Sequence, residues 1–123
     1  MTAAYKAALA RAVMGEAVSG AALKPAQIVF GDGAYDSATN TVRAPGETLY
    51  HQTLAFPVTP TRSGGQVSVA TVARAGATPI NFNEIGVLTA DGILILHRTL
   101  APQVITEGIS IEVRVDLLPP EGI

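Results

Sequence analysis

Few side chains in this sequence are equipped for chemistry, and their spacing limits what they could do. Gly31, Asp32 and Gly33 directly follow an apolar run at residues 26–30, the way a phosphate-cradling loop begins. However, Asp36 stands where G-x-G-x-x-G needs its third glycine, and no helix signal follows. The segment therefore reads as a tight turn. Asp32, Asp36 and Asn40 carry oxygens suited to calcium, but i, i+4, i+8 spacing is not the 1-3-5 alternation of a calcium loop, so they read as turn caps. His51 and His97 are the two histidines, and neither lies in H-E-x-x-H or another ligand spacing. His97 closes an apolar run and reads as a strand-end or interface residue. No serine sits in G-x-S-x-G. Glu84, between Asn83 and Ile85, has no partner acid; a lone carboxylate of this kind reads as a hydrogen-bonding or subunit-contact group. With no cysteine, disulfides, thiolate metal sites and cysteine nucleophiles are excluded. The expectation is a protein that is not an enzyme and takes no metal or cofactor.

The elements that would position these residues follow from period and punctuation. Residues 3–18 are almost all good helix formers, with Thr2 as N-cap and Gly15 or Gly20 as the stop. Tyr5, Leu9, Ala12, Val13 and Glu16 fall near one face of that helix, a narrow stripe set among alanines that suits docking on its own domain or on a neighbouring chain. Strands are predicted at 26–30, 48–58, 66–74, 80–88, 93–96 and 109–117. Asp91-Gly92 between two apolar runs predicts a hairpin, because glycine accepts positive φ. The continuous run 93–96 predicts a central strand buried on both faces. Ile109, Ile111, Val113, Val115 and Leu117 alternate with polar residues, so that strand has one dry face and one wet face. Residues 34–47 carry no period and read as a long surface loop. The consecutive Pro119 and Pro120 predict an extended exit. The result is an α+β fold with one N-terminal helix and a mainly antiparallel, sandwich-like β domain of about six strands. It forms a single domain over 1–123, with the helix at about 3–18, the β domain at about 26–118 and a proline-rich tail at 119–123.

Bulk composition agrees with one core. At 123 residues there is room for a single domain of ordinary size, and 48% hydrophobic content excludes a wholly disordered chain. Only 15% of residues are charged, which suggests surface buried against partner subunits. A net charge of −2 without a basic run argues against nucleic-acid binding. Lys6, Arg11 and Glu16 break the alanine-rich start, which reads as mature sequence and not as a signal peptide. No window approaches the roughly 18–20 apolar residues of a membrane span, so the expectation is a soluble protein or part of a soluble assembly.

One resemblance spans about residues 3–118. AYKAALARAV, then KPAQIVFGDG, then ETLYHQTLAFPV, then INFNEIGVLTADGILILHRT stand in the order and spacing of the phage tail-collar fibre domain, found at the N-termini of tail-fibre proteins. Its most specific pieces are Gly31 to Gly33 and the stretch from Asn83 to Gly92, which resembles the family's E-I-G-L-F-D-x-D-G hairpin. The resemblance implies a virion structural protein that anchors a fibre at the baseplate or collar. It would be assembled in the bacterial cytoplasm and located in the tail of a phage or phage-tail-like particle. Implied partners are other tail or baseplate proteins and copies of itself around a threefold axis, with neither nucleic acid nor membrane insertion. No fibre shaft follows residue 123, so either a fragment of a longer fibre or a free-standing adaptor is expected. Candidate partner-contact residues are Tyr5, Leu9, Val13, Tyr35, Asp36, Asn40, Glu84 and His97. The competing expectation is a small carbohydrate-binding module for host-surface glycans, using Tyr35, Tyr50 and polar loop residues.

Overall fold

The computed structural model describes residues 1–118; the expected exit at 119–123 lies outside them. Helix α1 (Ala3–Val13) starts where Thr2 takes an extended conformation and its Oγ1 accepts from the Tyr5 amide. It ends five residues before the expected 18, because Gly15 turns left-handed at φ 77° and releases the chain. A 3-10 turn at Gly20–Ala22 follows. Tyr5 and Ala8 are buried, whereas Val13 at the helix end is 83% exposed.

The strands are β1 (Pro25–Gly31), β2 (Tyr35–Asp36), β3 (Thr41–Val42), β4 (Gln52–Pro57), β5 (Thr61–Ser63), β6 (Gln66–Arg74), β7 (Ile80–Thr89), β8 (Leu94–Ile105) and β9 (Ser110–Leu118). They form a four-stranded sheet in the order β4-β1-β7-β8, a three-stranded sheet β5-β6-β9 and a small β2-β3 hairpin. All ladders are antiparallel. This is the expected α+β architecture, one leading helix and a β-rich domain, with more strands than the pattern gave.

The core lies between the two larger sheets. Ile28, Phe30, Phe82 and Val87 enter it from the first sheet, and Val69, Ala73, Val115 and Leu117 from the second. Phe30 sits at its middle, with ring centroids 5.5 Å from Phe56 and 5.0 Å from Phe82. Fully buried side chains such as Phe30, Ile28 and Ile95 each stabilise the fold by roughly 1.5–3 kcal/mol through the water-exposed area they remove.

Three local expectations are corrected. The run 93–96 belongs to an edge strand, not a central one: β8 has β7 on one side only. Leu94 and Ile95 are buried and Ile93 and Leu96 half-buried, and the start of the chain covers that edge, with the Thr2 amide donating to the Ile95 carbonyl at 2.8 Å and the Thr2 hydroxyl donating to the Leu94 carbonyl. Residues 48–51 are not part of a strand; β4 begins at Gln52. Residues 34–47 are not without structure, since β2 and β3 pair Tyr35 with Val42 and Asp36 with Thr41 around Asn40, whose φ is 52°.

Candidate functional site

Glu84 is placed by β7. A register shift between Phe82 and Glu84 interrupts the strand's alternation. Phe82 consequently packs in the core, while Glu84 turns its carboxylate toward the turn after β1 and a strap, residues 46–51, that crosses the sheet. The strap covers Gly86, where a side chain would run into Leu49, Leu94 and Val29.

The Glu84 side chain is fully buried and accepts four hydrogen bonds. Oε2 receives the amides of Gly33 at 3.0 Å and His51 at 2.9 Å; Oε1 receives the Tyr50 amide at 2.8 Å and His97 Nε2 at 2.8 Å. Burial pushes the carboxyl pKa up. The amides of His51 and Tyr50, the His97 imidazole and the Gly33 amide outweigh it, and the group is held below its ordinary range.

His97 has its other nitrogen committed as well. Nδ1 accepts from the Gly46 amide at 3.0 Å, so the ring proton resides on Nε2, which donates to Glu84. The imidazole is thus neutral and joins β8, β7 and the strap. Asn83 secures the turn from its other side: its Oδ1 accepts from the Ala34 amide at 2.8 Å and its Nδ2 donates to the Asp32 carbonyl at 3.0 Å.

The glycines of the G-D-G turn have a steric reason. A Cβ on Gly31 would lie 2.3 Å from the His51 carbonyl oxygen and 2.7 Å from Glu84 Cγ. On Gly33 it would lie 2.8 Å from the His51 amide nitrogen and from Tyr50 Cβ. Between them, exposed Asp32 pairs with His51, Oδ1 to Nδ1 at 2.5 Å; the hydrogen bond and the charge of Asp32 raise the His51 pKa. The far end of the strap meets the helix, where Glu47 Oε2 accepts from the Ala3 amide at 2.8 Å.

Glu84 and His97 are therefore brought together, but as buried partners of their own chain with no lone pair or proton left for a substrate. Tyr5 is buried too, and its hydroxyl donates to the Leu23 carbonyl at 2.6 Å. All three are buried and spend their polar atoms within this chain. Leu9 is half-buried and Val13 exposed, both on α1. Tyr35, Asp36 and Asn40 sit apart from the node in the β2-β3 hairpin: Tyr35 donates to Asn40 Oδ1 at 2.9 Å, and Asp36 Oδ1 accepts from the Ala38 amide at 3.0 Å. Asp36 therefore caps a turn. Tyr50 is 43% exposed; its hydroxyl donates to the Ala44 carbonyl, and Arg43 lies 5.4 Å from its ring centre. Asn83 and the amides of Gly46, Tyr50 and His51 carry the node yet escaped the residue-type reading, because backbone donors leave no mark in side-chain identity. The close spacing of Gly31 and Gly33 was the available signal.

Among the described residues, no group of three or more His, Cys, Asp or Glu side chains could hold a metal, and no buried side-chain nitrogen or oxygen lacks a hydrogen-bond partner. What the arrangement can do chemically is lock three chain segments onto one anion. No protein-family model matches the chain, and no curated protein or solved structure matches it either.

Proposed function

We propose that this chain is a structural component of a phage tail or phage-tail-like particle that anchors a fibre at the baseplate or collar, works through protein contacts and performs no catalysis. The observation that supports this reading is the convergence on Glu84. The G-D-G turn, the Tyr50-His51 segment, and Asn83-Glu84 with His97 come from three pieces of the tail-collar resemblance, and they meet in one hydrogen-bonded node. A node of this kind makes the motif residues a lock that fixes exposed chain on a rigid sheet, which is what a docking part requires. Val13 and Met14, 83% and 78% exposed, and Val72, 59% exposed, add apolar surface available for contact. Among the described residues, no helix is long and apolar enough to cross a membrane.

The test is co-expression with the tail, baseplate and fibre proteins of the same genome, followed by size-exclusion chromatography of the mixture. Co-elution with a baseplate or fibre protein is expected. Elution of this chain alone from every such mixture would sink the reading.

A further inference from the structure

The two larger sheets have four edges, and three are blunted. β4 is six residues long and ends in Pro57. β8 carries Pro102, and Thr2 occupies the backbone at Leu94 and Ile95. β5 has three residues. The fourth edge, β9, runs nine residues from Ser110 with neither proline nor glycine. It is laddered to β6 alone, so among the described residues no strand pairs with its outer side. A long, regular, unpaired edge is a template for another strand.

We propose that the outer edge of β9 pairs with the same edge of a second copy, antiparallel about a two-fold axis at Val113, joining two three-stranded sheets into one. The charges on the strand's exposed face suit a second copy as partner and disfavour an axis at Arg114. Glu112, Arg114 and Asp116 alternate in sign along the solvent side, with Arg114 and Asp116 61% and 56% exposed. Within one chain they satisfy each other poorly, the Arg114 to Asp116 distance being 3.6 Å. Centred on Val113, each Glu112 stands opposite the partner's Arg114, and each Ser110 opposite the partner's Asp116. On the inner face, half-buried Val113 meets the partner's Val113, and Ile111 meets the partner's Val115. A shift of the axis to Arg114 sets arginine against arginine and Glu112 against Asp116, a like-charge pairing that is unfavourable across strands. Centring on Val115 gives an overlap of the same length and sets Arg114 opposite the partner's Asp116, but leaves Glu112 facing no cation, so the response to Glu112→Arg separates this register from the one at Val113. A self-complementary patch of this kind makes a closed isologous contact. The inference does not rest on the tail reading, since two copies would pair whether or not a baseplate protein binds.

Sedimentation equilibrium of the full chain across a wide concentration range tests it. A concentration-dependent dimer is expected. Glu112→Arg alone and Arg114→Glu alone each set like charges opposite one another and should weaken the dimer about tenfold. The double variant E112R/R114E restores opposite charges and should recover dimerisation. Circular dichroism establishes that all variants are folded, as expected for changes at exposed positions. A chain that stays monomeric throughout, or a dimer that neither single change weakens, overturns the proposal, as does a double variant no tighter than the singles. Co-elution with tail proteins is scored separately, so the two readings fail independently.

Discussion

Glu84 Oε1 and His97 Nε2 lie 2.8 Å apart with both side chains fully excluded from solvent, and each uses its remaining hydrogen-bonding capacity on backbone amides of the strap or turn. The pair is a junction between β7, β8 and residues 46–51, and its energetics follow from full satisfaction of a buried anion. A buried charge without partners is costly; here every acceptor position is met.

Glu84→Gln tests that satisfaction directly. An amide group offers one oxygen and one NH2, so whichever way it turns, two of the four donors face a donor. The expected loss is about 3 kcal/mol of unfolding free energy in urea titration. A loss under about 0.5 kcal/mol would show that the node contributes little.

Acid should weaken the fold through the same group. The folded carboxyl is held below its ordinary value of 4.5, so on acidification the unfolded chain takes up a proton more readily than the folded one. The stability that Glu84 contributes is fully present above that value and is lost as pH falls through the folded pKa. Unfolding free energy measured from neutral to acid pH should fall more steeply for the wild type than for Glu84→Gln. Equal slopes would contradict it.

His51 should titrate in the opposite sense. Its pairing with Asp32 raises its pKa above 6.5, so the charged form persists to higher pH, and the contribution of the pair is present below 6.5 and lost as pH rises through the folded value. Imidazole proton shifts followed by NMR should move back toward 6.5 in Asp32→Asn. No change in the His51 midpoint would refute the pairing.

Glycine substitutions should rank by what a methyl group meets. Gly31→Ala drives a Cβ against the His51 carbonyl and buried Glu84, and should cost about 3 kcal/mol or more. Gly86→Ala meets the flexible ends of Leu49 and Leu94 and should cost less. Gly65→Ala, with nothing within 4 Å, should stay within about 0.5 kcal/mol of wild type. Thermal unfolding of the three variants gives the order, and any other ranking removes the steric account of the turn.

Thr2→Ala examines how the β8 edge is closed. The hydroxyl accepts from the Tyr5 amide and donates to the Leu94 carbonyl, so one change removes a helix cap and one of the two hydrogen bonds that Thr2 makes to the strand edge. A loss of about 1–2 kcal/mol is expected. Hydrogen exchange at the amides of residues 3–5 should quicken with it; unchanged protection would place the closure elsewhere.

Features with a local cause were legible in residue order. Thr2 as N-cap, the β6 span and the alternation of β9 each depend on a few neighbouring side chains and on periods of 3.6 or 2. The Asp91-Gly92 hairpin belongs with them, since the φ of 85° at Gly92 is a demand glycine meets wherever it occurs. Glu84 was recognisable as a hydrogen-bonding carboxylate, but its partners were not: three are backbone amides brought from 33 to 51 positions away. The edge position of β8 was hidden for a related reason, because burial by a covering chain and burial inside a sheet leave the same apolar run. Residue identity records what a side chain can do; only the folded chain decides which distant donors reach it, as closure of those long loops is driven by the core as a whole.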